Sequence, residues 1–215
     1  MVKILCGSSL VDLVNLFNSF YKIEYAVDCL YGSHCGPGSS LEYTASIQQE
    51  LPALLQKHAV RSMFDAGCGD RHWIKHVELP CSYLGGDVSS DFIDLSGGTI
   101  IKHEITSDTI PDVDLIMIRD VAIHLSNRDR YRLLCNVARS NAKFLLMTQC
   151  SVDHNDDVDY SDFPFSEINW NINPWGLPDP IDMIVEQLWN KSLCLWTIDQ
   201  IRQALDNIDS SQFLD

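Results

Sequence analysis

Positive charge is what this sequence has least of. Its 15 Lys and Arg stand against 30 Asp and Glu, for a formal net charge of −15 over 215 residues. Neutralising nucleic-acid phosphates takes clustered cations, so that balance argues against nucleic acid as a partner. No apolar run approaches the roughly 20 residues of a membrane span, and Met1 to Cys6 is too short for the apolar core of a signal peptide. Eight cysteines are present, but no two form a Cys-x-x-Cys pair. Several lie in apolar runs, such as Leu133-Leu-Cys135 and Leu193-Cys-Leu-Trp196. They read as buried free thiols in a reducing compartment rather than as disulfides or metal ligands. The expectation is a cytoplasmic protein. No internal repeat and no linker divides the chain, so residues 1–215 are expected to form one domain.

With 46% hydrophobic residues, a chain of this length can bury a sizeable core. Leu10, Leu13, Val14, Phe17 and Tyr21 predict a helix from Ser8 to about Leu30. A Gly- and Ser-rich loop, Tyr31–Ser40, follows; it reads either as a connector or as a backbone cradle for a polar ligand. A helix then runs to about His58, with Pro52 expected to kink or split it. From Ser62 the period changes. Strand-like segments at Ser62–Ala66, Tyr83–Asp87, Thr99–Ile105, Asp114–Ile118 and Phe144–Thr148 alternate with helical ones at Asp70–Val77 and Asn127–Ser140, and a short turn lies at Ser89–Asp94. Such alternation predicts a mostly parallel sheet with crossover helices. Residues 149–180 are irregular, acidic at first and then aromatic, and read as a substrate-side insertion. Ile181–Val185 and Ser192–Thr197 predict a hairpin around Trp189-Asn190-Lys191, before a final helix from Ile198 to about Asn207. The regions are thus 1–60, 61–148 (cofactor core), 149–180 and 181–215.

The chemistry centres on Asp65-Ala-Gly67-Cys-Gly69-Asp70, a glycine turn expected to follow a strand and open a helix. Ligands of open α/β sheets bind at such strand ends. Asp87, at the end of the next strand, can accept both hydroxyls of a ribose. A dinucleotide normally calls for a third glycine where His72 stands, and a phosphate loop needs Gly-Lys-Ser/Thr, which is absent. S-adenosylmethionine has a ribose but no phosphate, and its sulfonium cation suits Asp65 and Asp70.

These residues carry a resemblance. Phe64-Asp-Ala-Gly-Cys-Gly-Asp70 resembles the first signature motif of class I S-adenosylmethionine-dependent methyltransferases. Gly86-Asp-Val88 resembles the second, and Asp112–Ser126 the fourth-strand segment with its Arg-Asp and His-Leu-Ser. Gly36-Pro-Gly-Ser39, Thr44, Trp73, Leu177-Pro-Asp-Pro180 and Lys191-Ser-Leu-Cys-Leu-Trp196 are similar to a bacterial and phage-type branch. The resemblance covers roughly residues 30 to 200. It implies a three-layer α/β/α Rossmann-like fold, with a mostly parallel seven-stranded sheet ending in a C-terminal antiparallel hairpin.

It also implies S-adenosyl-L-methionine as cofactor and a small-molecule acceptor, such as a sugar or metabolite hydroxyl. Gly67, Gly69 and Asp65 would border the methionine moiety, and Asp87 would take the ribose. Val88, Glu104 and Ile105 would meet the adenine, and Arg119 the methionine carboxylate. Trp73 belongs to the same pocket, and Ser39 and Thr44 read either as a lid or as local caps. Asp120 and His124 are the candidate bases. Two other outcomes use the same fold: cleavage of S-adenosylmethionine, or a non-catalytic cofactor- or partner-binding module. Asp153, His154, Asp156 and Asp157 read as a solvated charge run rather than a metal site. Phe163, Phe165, Trp170 and Trp175 read either as a pocket wall or as packing of the insertion.

Overall fold

A computed structural model of the chain describes residues 32–95, 99–158, 160, 164–186 and 190–213, with residues 94 and 95 described by backbone alone. The helix expected over Ser8–Leu30 lies outside these residues, as do Phe163 and Trp189. The elements are α1 (Ala45–Lys57), β1 (Ser62–Ala66), β2 (Ser82–Asp87), α2 (Ser90–Leu95), β3 (Ile100–Lys102) and β4 (Leu115–Ile118). After them come α3 (Asn127–Arg139), β5 (Phe144–Cys150), β6 (Asp182–Val185), β7 (Lys191–Thr197) and α4 (Ile198–Leu205).

The seven strands form one sheet in the order β3-β2-β1-β4-β5-β7-β6. β1 to β5 pair in parallel, whereas β7 runs antiparallel to both β5 and β6. This is the Rossmann-like methyltransferase sheet.

Strand alternation divides the core between two faces. Phe64, Ile116, Ile118, Leu145 and Trp196 point to one face and pack with Leu133, Leu134 and Val137 of α3 and Ile201 of α4. Met63, Leu115, Met117, Leu146 and Leu195 point to the other, beneath Ile47, Leu51 and Leu55 of α1. Each such large side chain contributes roughly 1.5–3 kcal/mol on burial, which explains why β4 and β5 carry apolar residues on both sides. Side chains fix the helix starts. Ser126 accepts the Asp129 N–H at 3.2 Å to cap α3, and Thr197 with Gln200 forms a capping box on α4.

Three local expectations are corrected. Asp70–Val77 is not an α-helix but a run of turns with one 3-10 turn at Ile74–His76. Asp70 is the cause: its carboxylate accepts the Ser33 hydroxyl at 3.1 Å and the His34 and His72 N–H groups at 2.8 and 2.9 Å. Arg71 adopts φ 55°, outside the helical region. Ser89–Asp94, expected as a turn, instead supplies most of α2. Pro52 does not split α1, which is assigned as one continuous helix; it sits on a partly exposed side, where a carbonyl freed by the missing N–H can meet water. Among the described residues no helix is long and apolar enough to cross a membrane.

Candidate active site

The carboxyl ends of β3, β2, β1, β4 and β5 lie side by side along one edge of the sheet. Because β7 is antiparallel, its first residue, Lys191, pairs with Cys150 at the same edge. A cavity of about 650 Å³ opens there, within the usual size of small-molecule sites. Ser39, Asp65, Gly67, Gly69, Trp73, Asp87, Val88, Glu104, Ile105, Arg119, Asp120 and His124 all line it. Asp70, expected with Asp65 to suit the sulfonium, does not line it: its carboxylate is engaged by Ser33, His34 and His72. Thr44 does not line it either. It is fully buried, and its hydroxyl donates to the Ser40 carbonyl at 2.7 Å. The same hydroxyl accepts from the Gln48 side chain at 2.9 Å and makes no cap bond to the α1 backbone, so Thr44 ties the loop to the helix rather than covering the cavity.

The glycine turn is locked to β2, because Gly67 and Cys68 donate N–H groups to the Gly86 carbonyl at 2.7 and 3.1 Å. Gly67 has φ 80°, and a Cβ there would lie 2.2 Å from Val121 Cγ2; at Gly69 a Cβ would lie 2.3 Å from Cys35 Sγ. The space these glycines leave is therefore taken by the protein's own side chains. Their backbone, not a missing side chain, borders the cavity.

Asp87 crosses between two loops. Its carboxylate accepts the Gly69 N–H at 2.8 Å and the Ser89 N–H at 2.9 Å. Burial pushes its pKa up, while the Ser89, Gly69 and Val88 amides pull the other way. Asp65, at the end of β1, accepts the Tyr83 hydroxyl at 2.8 Å. Burial pushes its pKa up to about 7, with the Tyr83 hydroxyl and Arg119 opposing and Asp87 adding to the rise.

Next to the turn lies a buried charge cluster. Arg119 stacks over Trp73, 5.6 Å from the ring centroid, and donates to the Gly38 carbonyl at 2.9 Å and to Glu186 at 2.7 Å. Lys191 donates to Asp120 at 2.6 Å and lies 3.4 Å from Glu186. Asp120 also faces Arg119 at 3.3 Å and accepts the Thr148 hydroxyl at 3.2 Å. Burial alone would raise the Asp120 pKa, but Arg119 and Lys191 outweigh it and hold the group at about 2. So acidic a carboxyl is a weak proton acceptor near neutral pH.

His124 has the opposite character. Its Nδ1–H donates to the Pro164 carbonyl at 2.6 Å, which fixes the tautomer with the lone pair on Nε2. Burial lowers its pKa, against the pull of the Pro164 carbonyl and Asp120. The imidazole is therefore neutral near pH 7.

The insertion serves both roles considered for it. Phe165 lines the cavity, with its ring 6.1 Å from that of His124. Trp170 and Trp175 are buried instead, packed 5.2 Å apart, with Trp170 Nε1 donating to the Thr148 carbonyl at 2.9 Å. Arg130 of α3 holds this wall in place. Wholly buried, it donates to the carbonyls of Ala122, Asp156 and Ser166 at 2.9, 3.0 and 3.2 Å. His154 contacts Asp153 and Asp156 at the surface, away from the cavity lining.

Sequence reasoning missed His103, Glu186 and Lys191. His103 follows β3, is buried, lines the cavity and meets Phe64 edge-on at 4.8 Å. Burial lowers its pKa, against the pull of Asp108 and a hydrogen bond with the Thr109 backbone. Its position beside Glu104 was the available signal. For Lys191 it was the Lys191-Ser-Leu-Cys-Leu-Trp196 segment, read only as a family pattern. Glu186 offered none.

Comparison with solved structures gives the same architecture. The chain has the fold of the class I S-adenosylmethionine-dependent methyltransferases. It superposes on magnesium protoporphyrin IX methyltransferase from Synechocystis, solved with bound S-adenosylmethionine, at a TM-score of 0.57, with 13% identity, over 88% of this chain and 99% of that one. Against mitomycin 7-O-methyltransferase the TM-score is 0.56, with 13% identity, over 84% and 59% of the two chains. Against the pyocyanin biosynthetic protein PhzM it is 0.53, with 13% identity, over 74% and 56%. The chain thus spans little more than half the length of the latter two. No sequence-family model and no curated protein matches it.

Proposed function

We propose that the protein transfers a methyl group from S-adenosyl-L-methionine to a hydroxyl of a small molecule. The observation that carries this reading is the row of groups along the cavity at the strand ends: His103 and Glu104 after β3, Asp87 on β2, the glycine turn after β1 and Arg119 after β4. β3 and β4 are three strand spacings apart, roughly 14 Å at the edge of a sheet. Asp87 and the glycine turn lie between them. The cavity therefore suits an elongated ligand that is polar at both ends. A purine at His103, Glu104, Ile105 and Val88, a ribose at Asp87 and an amino-acid carboxylate at Arg119 meet that demand. Asp65 lines the same cavity, and an ammonium or sulfonium held beside it would favour its ionised form.

When bound, the cofactor supplies a methyl group on a cationic sulfur, ready for in-line displacement. The chain's own work is to align the acceptor and take its proton. His124 suits the second task, being neutral and lining the cavity. Asp120, the other candidate from sequence, is engaged by Lys191 and Arg119, and we assign it to holding the cluster together. Fold resemblance to methyltransferases supports the reading at the level of architecture.

The test is calorimetric titration with S-adenosylmethionine and S-adenosylhomocysteine, on the wild type and on Asp87→Ala. Binding by the wild type and at least roughly tenfold loss in the variant are expected, since a hydrogen bond to a charged group contributes about 1.5–3 kcal/mol. No binding, or an unchanged affinity in the variant, overturns the assignment. Turnover that yields a different cofactor fragment without an acceptor points to cofactor cleavage instead.

A further inference from the structure

Building on the methyltransferase reading, we infer that the acceptor is an aromatic compound without an anionic group. Its ring lies against Phe165 and its hydroxyl points to His124. The cavity lining near His124 and Phe165 includes the apolar Ile123, Leu125 and Cys150.

Phe165 is 51% exposed, although the residue after it is firmly tethered. Its neighbour Ser166 donates N–H to the Ile123 carbonyl at 2.9 Å and is held through its own carbonyl by Arg130. A loop fixed this tightly has ample means to turn the ring inward, as it does for Trp170 and Trp175. Phe165 instead faces the cavity beside the His124 ring. A flat apolar partner covers it best.

Charge narrows the class further. Among the described residues the lining holds two cations: Arg119, assigned above to the carboxylate of the cofactor, and Lys191, held by Asp120 at 2.6 Å. Beyond them the wall presents Glu167, an exposed carboxylate. With a net charge of −15 on the chain, a carboxylate- or phosphate-bearing acceptor is repelled.

Proton chemistry points the same way. A neutral imidazole can take a proton from a phenol, whose pKa is about 10. An alkyl hydroxyl, closer to the roughly 15.7 of water, is a far poorer match. In the step, the acceptor O–H bond breaks and its proton passes to His124 Nε2. The new O–CH3 bond forms as the C–S bond breaks, and that electron pair stays on sulfur, leaving S-adenosylhomocysteine. No oxidant or other co-reactant is needed.

The experiment measures S-adenosylhomocysteine release with a panel of 2-naphthol, catechol and tyramine, against 3-hydroxy-2-naphthoate and methyl glucoside. Turnover of at least one uncharged or cationic phenol is expected, with kcat/KM for the naphthoate lower by about tenfold or more and no turnover of the glucoside. Phe165→Ala should raise KM for the active phenol by roughly tenfold while its affinity for S-adenosylmethionine, read by calorimetry, stays unchanged. Preferred turnover of the glucoside or the naphthoate overturns the inference, as does an unchanged KM in Phe165→Ala. Inert phenols with intact cofactor binding overturn the acceptor class but leave the donor assignment standing. Absent cofactor binding overturns both.

Discussion

Lys191 Nζ lies 2.6 Å from Asp120 Oδ2, joining the first residue of β7 to the turn after β4. Both side chains are largely shielded from water, with 7% and 20% of their surface exposed. Breaking one member of a buried pair leaves an uncompensated charge. Lys191→Met is therefore expected to destabilise the protein by about 3–5 kcal/mol in urea unfolding at pH 7. The pH dependence follows from the sign of the shift. The folded Asp120 carboxyl is lowered from 3.8 to about 2, so its contribution is present above pH 4 and lost as pH falls toward 2. Stability curves should show that loss in the wild type and a shallower one in Lys191→Met.

Asp65 behaves in the opposite sense. Its folded pKa is raised to about 7 from 3.8, so the native state holds the extra proton in between and stability falls as pH rises through that window. A bound cation favours the ionised carboxylate. Calorimetry near pH 7 in buffers of different ionisation enthalpy should therefore detect proton release when S-adenosylmethionine binds, and Asp65→Asn should abolish it. Release unchanged in Asp65→Asn would assign the proton to another group.

Gly67 faces two separable demands, positive φ and closeness to Val121. Gly67→Ala should cost roughly 1–2 kcal/mol from the backbone and a further 1–3 kcal/mol from crowding. Adding Val121→Ala removes the Cγ2 atom and should recover the crowding part alone. Thermal unfolding of the single and double variants separates the two.

Arg130 is predicted to act through the acceptor wall. Arg130→Met leaves the buried Ser166 carbonyl without its donor, at about 1–3 kcal/mol, while the Ala122 and Asp156 carbonyls keep only the Leu125 N–H and the Ser166 hydroxyl. The melting temperature should drop and the acceptor KM should rise, while cofactor affinity changes little. Arg130→Lys should not restore it, because one ammonium cannot reproduce the fork of donors.

Much of this was legible in the residues. Strands β1, β4 and β5 are dense with apolar side chains, so covering on both faces was readable before any contact was known. Asp87 and the glycine turn were recognisable because their spacing is local. The Asp70–Val77 helix was misread because Asp70 bonds to Ser33 and His34, more than thirty residues away, and no local periodicity carries that information. Asp120 was picked as a base from its place after β4. Its engagement by Lys191 depends on β7 pairing with β5, a relationship between residues 71 apart in sequence.

That late partner also bears on how the protein comes into being. During synthesis the glycine turn, Asp87, Arg119 and Asp120 all emerge before β7. Until Glu186 is made and β7 inserts between β5 and β6, Asp120 and Arg119 lack Lys191 and Glu186. A nascent chain can thus shape the donor half of the pocket early, yet its electrostatic balance arrives with the last strand.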